Sequence, residues 1–232
     1  MSERISWLDG WRGLACWLML AYHLLFDFVM FGWMRYETLM SWPLYLLERF
    51  IAFSFILCAG ISATLTRSNL RRGLITLGAG GIVTAASYLV DAPILFGILQ
   101  FMGLAMLLYA ALGRYIERLP EKLAPVLWIV LYAAAYLVTK NVTVSVRWLF
   151  WLGFLYDGFV SFDYFPLLPY IFLFLFGTWM GRMLREHGEN IPILYKRAPD
   201  VLSWPGCRTL WIYLLHQPVL FGACFLVDAL CR

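Results

Sequence analysis

Charge is what this chain has least of. Only 14% of its 232 residues are Asp, Glu, Lys or Arg, 62% are hydrophobic, and the mean hydropathy is +0.76. An ordinary soluble domain carries roughly a quarter charged residues, so a soluble fold is excluded and a multi-pass membrane protein is indicated. Cysteine is present without a pattern: Cys16, Cys58, Cys207, Cys224 and Cys231 show no CxxC or metal-type spacing. They read as small packing residues, with no disulfide framework and no metal expected. The chain also lacks internal repeats, low-complexity tracts and any linker long enough to divide it, so a single domain over residues 1–232 is expected. No small-residue cleavage site follows the first apolar run, so a removable signal peptide is not expected. The net charge of +4 comes in short basic clusters between apolar runs. That is how topology signals are arranged, and no nucleic-acid partner is expected.

What is there is a series of runs of about 20 apolar residues, the length that spans a bilayer. Seven are read, at residues 11–31, 43–65, 74–90, 94–112, 123–138, 164–183 and 209–230, making an all-α polytopic membrane helix bundle. The stretch 143–160, "TVSVRWLFWLGFLYDGFV", is aromatic and broken by Arg147, Gly153 and Asp157, so it is read as an interfacial or re-entrant segment. Seven spans put Arg4, Arg67, Arg71, Arg72, Arg114, Arg118, Lys122, Arg182, Arg185, Lys196, Arg197 and Arg208 on one side. Arg35, Lys140, Arg147 and Arg232 fall on the other, which gives a cytoplasmic N-terminus by the positive-inside rule. The loop 187–205 is read as a polar cytoplasmic link between the last two spans.

The first span, "LDGWRGLACWLMLAYHLLFDF", keeps four polar groups where each costs several kcal/mol at depth. At 100° per residue, Asp9, Arg12, His23 and Asp27 fall within an arc of roughly 60°. Arg12 and His23 are eleven positions apart, about 16 Å along the axis. A guanidinium at the mouth forks onto phosphate or carboxylate and could anchor a phosphorylated donor. Asp9 belongs to the same mouth. An imidazole at depth can take a proton or accept an acyl group. Asp27, one turn on, is placed to orient it. Acyl or proton transfer is the chemistry that fits. Arg67, Arg71 and Arg72 open on the same side and either widen an anionic funnel or serve only as topology signals.

"DGWRG" (9–13), "HLLFD" (23–27), "ERFIAFSFILCAGIS" (48–62), "SFDYFPLLPY" (161–170) and "WIYLLHQPVL" (211–220) follow one another in order. The first-helix run, with Arg and His separated by ten residues, resembles the signature of the transmembrane acyltransferases. The whole set is similar to bacterial members of the heparan-alpha-glucosaminide N-acetyltransferase catalytic-domain family. The resemblance implies an acetyl-CoA donor bound from the cytoplasm and a glycan or other hydroxyl or amine acceptor on the far side of a plasma membrane. It maps the catalytic histidine to His23 and the CoA-associated arginine to Arg12. The bilayer, acetyl-CoA and the acceptor are then the expected partners, with a homodimer as a further one. Three other polar residues are candidates for the acceptor: Glu48, which could equally pair with Arg49; Gln100, which could equally bond between helices; and His216, before Pro218. Two rival functions stand beside transfer. One is a proton-coupled transporter, for which no inverted repeat is visible, and the other is an inactive membrane scaffold.

Overall fold

A chain in hydrocarbon must close its backbone hydrogen bonds within itself, and a helix does so locally. The computed structural model describes residues 5–188, 191 and 196–231. Arg4, Arg232 and the middle of the 187–205 loop lie outside the described residues. The fold is all-helical, 76% helix with no strand among the described residues. In chain order the helices are α1 (Ser6–Met30), α2 (Tyr36–Leu39), α3 (Trp42–Leu65), α4 (Asn69–Tyr88), α5 (Ile98–Ile116), α6 (Ala124–Asn141), α7 (Leu167–His187), α8 (Asp200–Cys207) and α9 (Thr209–Cys231). The described chain forms two compact units, Met1–Phe55 with Asn190–Arg232, and Ile56–Glu189.

Six helices (α1, α3, α5, α6, α7 and α9) are long and apolar enough to cross a membrane. The α4 helix, at 20 residues, is about 30 Å long and matches the bilayer in length. It falls short only in composition, through its glycines and two arginines, and its packing explains why. A Cβ on Gly73 would lie 2.9 Å from Leu107, one on Gly103 would lie 2.7 Å from the Leu77 nitrogen, and one on Gly80 would lie 2.9 Å from Gln100. The glycines let α4 lie antiparallel against α5 along most of its length. Parity supports the seventh crossing. Within the first unit, His23 faces His216, Asp27 meets Gln217 and Phe31 packs on Phe221. Numbers on α1 and α9 rise together, so the two helices run parallel, and a chain that starts and ends on parallel spans has an odd number of them.

The stretch 143–160 makes no crossing. It holds one 3₁₀ helix, Arg147–Leu152, about 12 Å long. A bridge ties Thr143 to Leu155, the Val144 amide donates to the Leu155 carbonyl at 2.9 Å, and the Tyr164 hydroxyl donates to the Phe150 carbonyl at 2.6 Å.

At one end of the second unit the basic clusters meet helix C-termini, whose last carbonyls have no partner within the helix. Arg182 donates to the carbonyls of Glu117 (2.8 Å) and Leu119 (3.0 Å), and Arg185 donates to that of Thr64 (3.4 Å). The ends of α3, α5 and α7 are thereby gathered together. At the other end the α5 N-cap is Gly97, which has no side chain to offer. Asp163, from the 161–170 motif, supplies the missing acceptor to the Ile98 amide at 3.1 Å. This moves the start of α5 from the expected residue 94 to Ile98 and lengthens the connection between α4 and α5.

Part of the 187–205 loop is also corrected. Residues 200–207 are helical and pack on α1, with the crossing at two glycines. A Cβ on Gly13 would lie 2.6 Å from the Leu202 carbonyl carbon, and one on Gly206 would lie 2.7 Å from that of Asp9. The Trp17 indole N–H donates to the Val201 carbonyl at 2.8 Å, and Ser6 Oγ accepts from the Ala198 amide at 2.9 Å.

Candidate active site

The polar face of α1 meets two elements of the first unit, α8 at its beginning and α9 at its far half. At the beginning, Arg12 Nη1 lies 3.0 Å from Asp9 Oδ1, one turn back along the same face. The Asp9 carboxylate is buried beneath α8, and the Arg12 side chain keeps 21% of its surface exposed. A carboxylate buried here needs a cation, and Arg12 is placed to be it. The Cys16 thiol, one turn further, lies 3.9 Å from the Pro205 carbonyl and 3.8 Å from Thr209 Oγ1.

About 16 Å further along α1 stands His23, its ring centroid 4.6 Å from that of His216 on α9, edge to face. The Tyr22 ring flanks it at 6.1 Å. His216 is buried, and its Nδ1 lies 2.6 Å from the Tyr213 carbonyl. Asp27 is wholly buried, and its Oδ1 accepts from Gln217 Nε2 at 2.6 Å. Among the described residues, Asp27 Oδ2, His216 Nε2 and Gln217 Oε1 are buried and have no hydrogen-bond partner. The expected His23–Asp27 pairing is therefore corrected. The carboxylate turns to Gln217 across the helix pair, because an amide donor on α9 reaches it at hydrogen-bond distance.

Glu48 lies 2.9 Å from Arg49 Nε, the two side chains 25% and 35% exposed, so it is engaged as half of an ion pair. The Trp11 indole N–H donates to Ser54 Oγ at 3.1 Å and ties α1 to α3.

The other expected residues belong to the second unit. Gln100 has its amide engaged in packing contacts between α4 and α5. Its Oε1 accepts from the Gly97 amide at 3.0 Å, and its Nε2 donates to the Gly80 carbonyl (2.9 Å) and to Thr84 Oγ1 (2.5 Å). Arg72 donates to the Ser62 carbonyl at 3.4 Å, while Arg67 and Arg71 are exposed. In that same unit Glu117 accepts from the Tyr109 hydroxyl at 2.5 Å and lies 3.3 Å from Arg185. Burial pushes its carboxyl up, but the Tyr109 hydroxyl, Arg185 and Arg182 outweigh this and hold it below its ordinary value. Glu121, Glu186 and His187 bring ligand atoms within 4.8 Å of one another, the set closest to a metal-binding group among the described residues. Arg182 lies 3.6 Å from Glu186 and opposes a cation there.

The sequence marks Gln217 beside His216 as a polar interruption of the last span, with a structural and a site-lining role both open, but it does not show α8. Gln217 directly follows His216 in the "HQP" motif, which was the available signal, while "SWPGC" reads as a helix breaker.

Chemically, this corner of the first unit offers an ion-paired guanidinium near one end of a span, two imidazoles in contact at depth, and a buried carboxylate. Against known families, the model described as heparan-alpha-glucosaminide N-acetyltransferase, catalytic, matches residues 4–218. No curated protein matches the chain, and no solved structure does.

Proposed function

The chain belongs to the heparan-alpha-glucosaminide N-acetyltransferase catalytic family, a family of membrane acyltransferases, and from that premise we propose the reaction. An acetyl group moves from acetyl-CoA on the cytoplasmic side of a plasma membrane to a hydroxyl or amino group of an extracytoplasmic glycan. The observation that carries this reading is the polar stripe of α1, within the matched residues 4–218. It sets Arg12 and Asp9 near one end and His23 about 16 Å deeper. Arg12 receives the phosphates of the donor, steadied by Asp9, and Arg67, Arg71 and Arg72 add to the positive potential on the cytoplasmic side. The thioester arm then extends toward His23, which takes the acyl group or the acceptor's proton. Glu48, released from Arg49, is a candidate contact for the acceptor. The N-terminus is read as cytoplasmic, because the ends gathered by Arg182 and Arg185 carry most of the second unit's basic residues. The family match runs through residues of both compact units, which supports treating them as one functional domain.

The test is transfer of labelled acetyl from acetyl-CoA to methyl α-glucosaminide in proteoliposomes, with CoA release followed in parallel. His23→Ala should abolish transfer at unchanged melting temperature, and retained transfer removes His23 from the mechanism. Solute flux without CoA release marks a carrier instead. A wild-type protein with neither activity is a scaffold.

A further inference from the structure

We propose that His216 is the base that accepts the acceptor's proton, with Asp27 and Gln217 accepting from other hydroxyl or amine groups of the same acceptor molecule. The inference rests on the transfer reading above and divides the labour of that site between two histidines. It starts from the tautomer of His216. A carbonyl oxygen can only accept, so the 2.6 Å approach of Nδ1 to the Tyr213 carbonyl places the ring proton on Nδ1. In the neutral ring Nε2 is then a lone-pair acceptor, and it is buried without a partner. The same reasoning applies to Gln217. Its Nε2 donates to Asp27 Oδ1 at 2.6 Å, which leaves Oε1 as its acceptor, again buried without a partner. Asp27 Oδ2 is the third such atom, on a side chain with no exposed surface.

Three acceptors thus stand on adjoining turns of α1 and α9 with no donor among the described residues. Unmet polar atoms are costly in a membrane interior. What they lack is donors: the reacting X–H of a hydroxyl or amine acceptor supplies one to His216 Nε2, and further hydroxyl or amine groups of the same molecule supply the others. The His23 ring, 4.6 Å from that of His216, stands beside them.

The arrangement favours transfer in two halves. In the first, a His23 ring nitrogen attacks the acetyl carbonyl of the thioester. The C–S bond breaks with its electron pair on sulfur, and the proton lost from the His23 ring goes to that thiolate. In the second, the acceptor's X–H proton passes to His216 Nε2 while X forms its bond to the acetyl carbon. The C–N bond to His23 breaks with its pair on the ring nitrogen, which then recovers the proton from His216. Both imidazoles end neutral.

The halves can be measured separately in the purified full chain. Exchange of labelled CoA into acetyl-CoA reports the first and needs no acceptor. Transfer to methyl α-glucosaminide reports both. His216→Asn keeps an amide donor for the Tyr213 carbonyl and removes the base. It should keep CoA exchange within about twofold of wild type and lose transfer by about 10²-fold or more, the usual contribution of a general base. Hydroxylamine, nucleophilic without a base, should still discharge acetyl from the variant. Loss of exchange and transfer in equal proportion, or retention of both, overturns the proposal. If His216→Asn melts early, His216→Gln, with its amide at the Nε2 position, is scored by the same two rates. A wild-type protein that neither exchanges nor transfers refutes the transfer reading itself, which keeps the two failures distinct.

Discussion

Gly13→Ala adds one methyl group at the point where α1 and α8 cross. Its carbon would lie 2.6 Å from the Leu202 carbonyl carbon and nearer still to the attached oxygen, against the 3.4 Å at which ordinary contact begins. One backbone must retreat by more than about 1 Å, far beyond what packed interiors absorb without loss. Inserting a methyl group into a packed core usually costs about 1–3 kcal/mol, because neighbouring side chains adjust. Here the obstacle is a peptide group inside a helix, which cannot change rotamer, so the expected cost is at the upper end, about 3 kcal/mol. The retreat would also stretch the Trp17–Val201 hydrogen bond, now 2.8 Å. The assay is thermal unfolding in detergent, with hydrogen exchange over residues 200–207 to report α8 before the rest of the protein. Gly222→Ala on α9 is the control, since a Cβ there meets nothing within 4 Å and helix propensity alone makes it neutral or stabilising by up to about 1 kcal/mol. Equal melting temperatures for the two variants, with unchanged exchange over α8, would refute the crossing.

Gln100→Leu leaves the Gly97 amide without the acceptor it has at 3.0 Å and should cost about 1–3 kcal/mol, with acetyl transfer per folded molecule unchanged; a raised KM at unchanged stability would restore it as a substrate ligand. Asp163→Ala removes the cap of α5 and should lower stability by about 1 kcal/mol, read by chemical unfolding. Glu117 is held below the ordinary carboxylate value in the fold, so its contribution is complete above that ordinary value and is lost as pH falls through the lowered one. Glu117→Gln should therefore flatten the acid side of the melting-temperature profile, and an unchanged acid limb would remove the Tyr109–Glu117–Arg185 cluster from the account.

The seven spans are legible because hydrocarbon demands about 20 apolar residues at a time, and even glycine-rich α4 meets the length. Their ends are less so. The start of α5 is set by Asp163 and Gln100, one of them 65 positions away from the amide it caps. The α8 helix carries Pro205 and Gly206, residues that punctuate helices locally. It forms because Gly206 permits the close approach to α1, a contact between residues nearly two hundred positions apart that no local pattern announces.

The same limit explains what could be read of the site. Angular arithmetic placed Asp9, Arg12, His23 and Asp27 on one face, since that depends on a single helix. It could not give the partners of His23 and Asp27, because those depend on the register between α1 and α9. Once that register is known, the four polar groups divide by location. Asp9 and Arg12 neutralise each other within one turn, a local solution that any membrane helix could adopt. His23 and Asp27 are also one turn apart, yet they meet His216 and Gln217 across the helix pair instead. The second set leaves three acceptor atoms unmet among the described residues. A seam kept only to order the bundle gains nothing from three unmet acceptors, since one donor or an apolar replacement would be more stable. On the proposed reading, the donors these atoms lack arrive with the acceptor substrate, whose X–H group an acyltransferase must bind.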